Sequence, residues 1–204
     1  MAKRIEIDSP DAVPVDKNRR VLVVDDNPSI HEDFRKILAA SKVANTELES
    51  GETALFGTAA VADSGLPTYE LAFAGSGEEA IEKVAAALEA GEEFALAFMD
   101  VRMAPGIDGV EATVRLLEMS RDLQVVICTA YSDYSWSEMN EKLGESDRVL
   151  ILKKPFDNIE VLQCASALTE KWRLQKEASR AIDGLTTFIR KQMDADASLG
   201  GEAR

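Results

Sequence analysis

The fold of this chain follows from one stretch of its sequence, the run FALAFMD at residues 94–100. Six consecutive apolar residues are typical of a strand that is covered on both faces, as in parallel sheets with helices above and below them. The run ends at Asp100, so this carboxylate is predicted to leave the strand at its carboxyl end. Ligands bind at that end of the strands in open α/β sheets, which makes Asp100 a candidate functional residue.

A second apolar run strengthens the case for a site at the strand ends. The segment VLVV at residues 21–24 is followed directly by Asp25 and Asp26. Carboxylate oxygens are the ligands that hard divalent cations take in proteins. Two neighbouring strands that bring three carboxylates to one edge of a sheet therefore predict a cation site.

The composition limits the function classes. Of the 204 residues, 46% are hydrophobic and 29% are charged, which is ordinary for a globular protein. No apolar run approaches the roughly 20 residues of a membrane span, and the N-terminus lacks the apolar core of a signal peptide, so we expect a cytoplasmic protein without membrane contact. The formal net charge of −14 argues against direct binding of nucleic acid, which needs clustered Lys and Arg.

Predicted strands and helices alternate along the chain. Two helix starts carry capping boxes, Ser76 with Glu79 and Asp108 with Glu111, and Gly91 is a stop signal for the first of these helices. Five strands that alternate with five helices predict an α/β fold, a doubly wound five-stranded parallel sheet, because parallel neighbours need crossover connections. The predicted strand order is 2-1-3-4-5, followed by an extended C-terminal helix.

This strand order brings the candidate residues together. The first and third strands are neighbours at the point where the order reverses, so Asp25, Asp26 and Asp100 are predicted to converge there. Thr129 and Lys154 follow the fourth and fifth strands and border the same crevice. Three close carboxylates repel one another, and Mg²⁺ is the compensating cation that fits, because it accepts carboxylates and completes its shell with water and phosphate oxygens.

These motifs resemble those of a known family, the response-regulator receiver domains of bacterial two-component signalling, which have the flavodoxin-like fold. The resemblance covers roughly residues 19–170, with the motifs in the order of the family. The matching pieces are Val24-Asp25-Asp26, residues 99–103 followed by Asp108-Gly109, Thr129-Ala130 and Lys154-Pro155-Phe156.

The resemblance implies a set of metal ligands. Asp26 and Asp100 would bind Mg²⁺ directly, Asp25 would act mainly through water, and the backbone carbonyl of Arg102 would complete the protein ligands. It also implies a reaction. Asp100 would accept a phosphoryl group from a histidine kinase or a phosphotransfer protein, and the change of surface would be passed to a downstream protein or output domain.

The remaining site residues and the class of protein follow from the same resemblance. Thr129 would hydrogen-bond the phosphoryl group, and Lys154 would pair with its charge. The chain would be a phosphoacceptor signalling domain and not an enzyme, apart from its own phosphorylation and slow dephosphorylation. Phosphoryl transfer depends on positioning and charge neutralisation, which a metal and one ammonium group supply.

The sequence departs from the family pattern in three places. Seven residues separate Asp100 from Asp108, one more than is usual, so we expect a reshaped loop beside the acceptor. Ile151 stands where the family commonly carries Tyr or Phe, which argues against signalling by an aromatic rotamer switch. Residues 41–67 form an insertion between the first helix and the second strand, and its role does not follow from its sequence.

We predict three segments: a flexible leader at 1–19, a receiver domain at 20–170 that contains the insertion, and a helical extension at 171–204. Apolar residues recur in the extension at three- or four-residue steps, with Asp183-Gly184 as a point where the helix could break. The extension either folds back on its own domain, forms a homodimer or leads into an output domain.

Two alternative functions follow from the same residues. The chain could be the N-terminal receiver portion of a larger sensor kinase or cyclic-dinucleotide signalling enzyme, with the long helix as the coupling element. A magnesium-dependent phosphohydrolase on a related fold is the other alternative. Turnover that persists after replacement of Asp100 would distinguish the phosphohydrolase from a receiver.

Overall fold

The structure, a computed structural model, describes four stretches of the chain. They divide into two compact units, residues 17–172 and a second unit whose described part is 173–200. Most of the predicted leader and all of the predicted insertion lie outside the described residues. The described stretches are residues 17–38, 68–130, 136–144 and 146–200.

Five strands and five helices alternate along the described chain, as predicted. The strands are β1 (Arg20–Val24), β2 (Glu70–Ala74), β3 (Leu96–Asp100), β4 (Gln124–Thr129) and β5 (Val149–Lys153). The helices are α1, described over residues 28–38, then α2 (Gly77–Ala90), α3 (Gly109–Met119), α4 (Trp136–Leu143) and α5 (Asn158–Gly200).

The predicted helix ends are present where the structure describes them. The side chain of Ser76 accepts a hydrogen bond from the backbone N–H of Glu79 at 3.2 Å, and the carboxylate of Asp108 accepts one from Glu111 at 2.8 Å. Gly91 ends α2 in the left-handed conformation. These contacts satisfy N–H groups of the first helical turn and C=O groups of the last, which have no partner inside a helix.

The five strands form one parallel sheet of order β2-β1-β3-β4-β5, which confirms the predicted fold class. β3 lies in the centre, between β1 and β4, and all five of its residues are buried. Phe98 of β3 pairs with Val23 of β1 and with Val126 of β4. The apolar run at 94–100 is therefore covered on both faces, which explains why it shows no alternation of apolar and polar residues.

Successive side chains of β3 point to opposite faces of the sheet and enter two separate cores. Leu96 and Phe98 belong to the core formed with α1 and the first turns of α5, where the Phe98 and Phe34 rings lie 4.8 Å apart. Ala97 and Met99 belong to the core formed with α2 and α3. Helices thus cover both faces, and the open edge that remains for ligands is the carboxyl end of the strands.

α5 differs from the sequence prediction in its continuity. The helix runs through Asp183 and Gly184, where the sequence allowed a break, and continues to Gly200. Within the first unit, α5 buries a stripe of residues against the sheet, among them Val161, Ala165 and Leu168. Among the described residues, no helix combines the length and the apolar character needed to cross a membrane.

Candidate functional site

The site begins at the end of β1, where two aspartates differ in exposure. Asp25 is buried and Asp26 is exposed. The backbone N–H of Asp25 donates to the carbonyl of Ala74 at 3.1 Å, and its carboxylate accepts a hydrogen bond from the N–H of Asn27 at 2.9 Å. The backbone therefore fixes the position of Asp25, while Asp26 lies open to solvent beside it.

The third carboxylate comes from β3. Asp100 is the last residue of that strand and is only 9% exposed, and its carboxylate accepts a hydrogen bond from the N–H of Arg102 at 3.2 Å. Carboxylate oxygens of Asp25, Asp26 and Asp100 lie within 4.8 Å of one another. The structure thus brings together the three carboxylates that the strand order predicted to converge.

A single ammonium group bridges two of these carboxylates. Nζ of Lys154 donates to Asp25 at 2.8 Å and to Asp100 at 2.7 Å. The backbone N–H of Lys154 donates to the carbonyl of Thr129 at 2.8 Å, which fixes the residue just beyond the end of β5. We call the group formed by Asp25, Asp26, Asp100 and Lys154 the acidic rim.

The acidic rim perturbs the protonation of its members. Burial raises the pKa of the Asp100 carboxyl, the hydrogen bond and charge of Lys154 lower it, and the nearby carboxylate of Asp25 raises it again, so that the net pKa is above its ordinary value. Burial by itself lowers the pKa of Lys154, but the hydrogen bonds to Asp100 and Asp25 outweigh burial and raise it. The site thus holds Lys154 charged and disfavours the charge on Asp100.

The donor set of the acidic rim fits a small divalent cation. Three carboxylates and one ammonium group leave two negative charges when all are ionised, and one Mg²⁺ ion would neutralise them. All the candidate side-chain ligands are oxygens, and Asp26 is open to solvent, which suits a cation that keeps several water molecules. The residues present therefore fit Mg²⁺.

Two other predicted site residues, Thr129 and Arg102, lie near the acidic rim. Thr129 is the last residue of β4 and is buried, and its hydroxyl donates to the carbonyl of Ala130 at 3.0 Å. Arg102 lies two residues after Asp100 in the following loop, with its side chain exposed. Its backbone N–H holds the carboxylate of Asp100, as described above.

The loop from residue 101 to residue 108 returns to the end of β3 through a close backbone approach. The N–H of Gly109 donates to the carbonyl of Val101 at 2.9 Å. A Cβ atom at Gly109 would lie 1.8 Å from the backbone oxygen of Asp100, so a side chain at this position would displace the strand end. Gly109 is therefore required by the backbone geometry at the end of β3.

Sequence reasoning missed the residue that anchors this loop. The carboxylate of Glu78, in the first turn of α2, accepts a hydrogen bond from the N–H of Ile107 at 2.9 Å. Gly106 has a φ of +131°, and a Cβ atom there would lie 2.6 Å from the same carboxylate. Glu78 and Ile107 are 29 residues apart, so no local pattern could indicate the contact.

The fold and the acidic rim together define a doubly wound α/β domain with a cluster of carboxylates at the ends of its strands. A family model, described as the response regulator receiver domain, matches residues 60–166, which is more than half of the chain. The chain therefore belongs to the response regulator receiver domain family. Receiver domains are generally signalling domains and not enzymes, and they generally bind Mg²⁺ at an acidic pocket.

One curated relative shows the same family likeness over part of its length. Nodulation protein W of Bradyrhizobium diazoefficiens is 30% identical over 91 residues. The match covers 45% of this chain and 38% of the relative, so the chain spans less than half the length of that protein.

Solved structures support the fold. A CheY-like response regulator receiver domain protein from Methanospirillum hungatei matches with a TM-score of 0.52 and 20% identity, covering 78% of this chain and 98% of that one. The adenylate cyclase structure from Rhodopirellula baltica has a TM-score of 0.56 and 18% identity, with 81% and 98% covered. The receiver domain of an HD domain-containing protein from Pseudomonas fluorescens has a TM-score of 0.56 and 18% identity, with 79% and 93% covered.

Proposed function

We propose that this chain is a phosphoacceptor response regulator that receives a phosphoryl group on Asp100 and relays the signal through changed protein contacts. The observation that carries the proposal is the acidic rim: a buried carboxylate at the end of the central strand, hydrogen-bonded to one ammonium group and adjacent to two further carboxylates. A carboxylate with these neighbours is placed to meet an anion whose charge is neutralised nearby.

The transfer step is a substitution at phosphorus. A carboxylate oxygen of Asp100 attacks the phosphorus of a phosphohistidine on a histidine kinase or phosphotransfer protein. The new O–P bond forms as the N–P bond breaks, and the electron pair of that bond returns to the histidine nitrogen. The product is an acyl phosphate, which water later hydrolyses to inorganic phosphate and free Asp100.

The metal ligands in this proposal are those that the receiver family implies. Asp26, Asp100 and the backbone carbonyl of Arg102 would hold Mg²⁺ directly, and Asp25 would act mainly through water. When bound, Mg²⁺ supplies positive charge that neutralises the carboxylates and the incoming phosphoryl oxygens. The open position of Asp26 leaves access from solvent for the ion and its water molecules.

Lys154 and Thr129 would then respond to phosphorylation. The ammonium group of Lys154 exchanges the Asp100 carboxylate for a phosphoryl oxygen, which its flexible stem permits. The hydroxyl of Thr129 turns from the Ala130 carbonyl to donate to the phosphoryl group. Ile151 carries no ring, so this relay would proceed through Thr129 and the surface of α4 and β5 and not through an aromatic rotamer.

The domain limits also belong to this proposal. Residues 20–170 would form the receiver, and 171–204 a helical extension that carries the signal. Apart from the acquisition and slow loss of its own phosphoryl group, the chain would turn over no substrate.

Replacement of the acceptor tests the function. We expect the wild-type chain to gain one phosphoryl unit per chain from acetyl phosphate with Mg²⁺, measured by intact mass, and to gain none when EDTA removes the metal. Asp100→Asn should abolish the gain. Asp33→Asn is the matched control, because Asp33 is an exposed aspartate on α1 whose ion pair with Lys36 lies apart from the acidic rim. Undiminished Mg²⁺-dependent labelling of Asp100→Asn would refute the proposal, and repeated turnover by that variant would indicate a phosphohydrolase.

A second candidate is a receiver that serves a longer signalling protein. The observation that favours it is the short share, 38%, of the curated relative that the match covers. A separate regulator and a receiver within a longer protein can be distinguished by the size of the native protein. This size is measured in extracts of its own cells with an antibody to the receiver. A band of the size of the 204-residue chain supports a separate regulator, and a larger band supports the second candidate.

A further inference from the structure

The second unit of the chain exposes large apolar side chains along α5. Leu174 is 52% exposed, and four residues further along the helix are between 56% and 62% exposed. Side chains of this size are mostly buried in stable proteins, and a contiguous exposed apolar patch marks an interaction surface. The four further residues are Ile182, Leu185, Phe188 and Ile189.

The apolar residues lie on one face of the helix. At about 100° per residue, every apolar residue between 174 and 189 falls within an arc of about 120°, and every polar residue and Gly184 fall outside it. This complete separation of apolar from polar residues indicates a helix face from which a partner would exclude water. We call it the distal stripe: Leu174, Ala178, Ala181, Ile182, Leu185, Phe188 and Ile189.

The spacing of the distal stripe matches the pattern of a two-stranded coiled coil. Ile182 and Ile189 are seven residues apart and take the a positions of a heptad, and Leu185 takes the d position between them. Isoleucine at a with leucine at d favours two parallel strands over three or four. The described helix after residue 172 has 28 residues, enough for four heptads and about 42 Å of pairing.

The charges of the second unit favour pairing of identical helices. In a parallel pair, equivalent residues lie opposite one another, so charged side chains beside the seam would repel their own copies. Beside the central residues Ile182, Leu185 and Ile189 the flanking positions carry no charge: Ser179 and Thr186 at e, Ala181 and Phe188 at g. Asp196, at the next a position, lies beyond this central part. Two copies can therefore approach without like charges at the centre of the seam.

The same charges argue against an anionic membrane surface as the occupant. A helix that lies on such a surface places Lys and Arg beside its apolar face, where they reach the headgroups. In this helix Lys176, Arg180 and Lys191 lie on the side opposite the distal stripe, and one flank carries Glu177. The basic residues would thus point away from the lipid.

We propose that two copies of this chain pair through the distal stripe as a parallel, in-register two-stranded coiled coil, with Ile182, Leu185 and Ile189 at its centre. The pairing does not depend on the phosphoacceptor role of Asp100. Failure of one proposal therefore leaves the other intact, because oligomeric state and phosphoryl gain are measured separately.

The first test is the mass of the full chain in solution, measured by analytical ultracentrifugation over a range of concentrations. The wild type should sediment as a dimer, and Leu185→Asp should raise the dissociation constant by more than about 100-fold, because each helix would bury an unpaired carboxylate at the seam. Thr187→Asp is the matched control, since it adds the same charge on the opposite side of the helix and should leave the dimer intact. A monomeric wild type, or equal effects of the two variants, would overturn the proposal.

The second test fixes the orientation. Ile189→Cys should form a disulfide-linked dimer under mild oxidation, because equivalent a positions face each other in a parallel pair, whereas Thr187→Cys should not. A dimer without the Ile189→Cys cross-link would overturn the parallel arrangement. Sedimentation with vesicles of phosphatidylcholine and phosphatidylglycerol completes the comparison. Loss of the chain to the vesicle pellet, reversed by Leu185→Asp, would overturn the second-copy proposal in favour of a membrane surface.

Discussion

The acidic rim has excess negative charge and the distal stripe has exposed apolar surface, so the two regions need different kinds of partner. The acidic rim carries three carboxylates against one ammonium group. The distal stripe carries exposed apolar side chains on one face of the second unit's part of α5. Excess charge is balanced by a small ion that enters and leaves, whereas apolar surface is covered only by another surface that excludes water.

The free energy gained on binding a partner also differs between the acidic rim and the distal stripe. A buried ion pair gains little net free energy, because desolvation offsets the attraction, so a small ion at the acidic rim can exchange. Full burial of a Leu, Ile or Phe side chain contributes about 1.5–3 kcal/mol, and several such residues add up. The comparison indicates that the acidic rim suits reversible occupancy and the distal stripe a lasting partner.

Glycine-to-alanine substitutions next to the acidic rim and on the helix that carries the distal stripe should have opposite effects on stability, and the larger effect belongs to Gly109→Ala. The new Cβ atom would overlap the backbone oxygen of Asp100, so we expect the free energy of unfolding to fall by about 3 kcal/mol, the upper end for overpacking. Urea unfolding monitored by circular dichroism measures the change. A loss below about 1 kcal/mol would mean that the end of β3 is not held by this close approach.

Removal of the Lys154 ammonium group tests whether the excess negative charge of the acidic rim destabilises the folded protein. Lys154→Met should lower the free energy of unfolding by about 2 kcal/mol at neutral pH without metal. This is less than the roughly 3–5 kcal/mol for a fully buried pair, because the Lys154 side chain is 25% exposed. Added Mg²⁺ should recover most of the loss. The control is Lys153→Met, which changes an exposed lysine next to it.

The difference in the free energy of unfolding between wild type and Lys154→Met should depend on pH in a defined direction. The folded state raises the pKa of Lys154, so its contribution is fully present below the ordinary lysine pKa of about 10.4 and is lost as the pH rises through the raised value. Wild type and Lys154→Met should therefore differ by a constant amount from pH 7 to about pH 10 and converge above it. Convergence already near pH 8 would contradict the ion-pair explanation.

Gly184→Ala is the smallest of the three changes and concerns α5. A Cβ atom at Gly184 would meet no atom within 4 Å, and alanine is favoured over glycine in a helix by about 1 kcal/mol. We expect the local opening of this part of α5 to become about five-fold rarer, measured as slower amide hydrogen exchange of residues 173–191. An unchanged exchange rate would show that helix propensity does not limit the opening of this segment. A higher free energy of unfolding for Gly109→Ala would contradict the expected opposite effects of the two glycine substitutions.

Much of the fold could be predicted because the signals for strands and helix starts lie within a few residues of one another in the sequence. The apolar runs marked the strands, and Ser76 and Asp108 marked helix starts. The strand order also followed, because the resemblance to receiver domains carries it. Convergence of Asp25 and Asp100 was predicted from that order, while their roles and that of Thr129 stay predictions.

The individual side-chain hydrogen bonds between distant segments could not be predicted. Nothing near Glu78 indicates that it holds the N–H of Ile107, and nothing near Lys154 indicates that its ammonium group bridges Asp25 and Asp100. The continuity of α5 through Gly184 also ran against the local signal, since glycine is a poor helix former. The neighbouring helical residues outweigh this single unfavourable position.

The sequence alone determined which residues have chemistry to offer and which stretches are strands or helices, because periodicity and residue type act within a few positions of the chain. Tertiary structure decided how that chemistry is arranged. It placed one lysine between two buried carboxylates, and it buried Asp100, which raises the pKa of that carboxyl. It also left the distal stripe exposed while the first turns of α5 are buried. Such outcomes depend on distances between residues that are far apart in sequence.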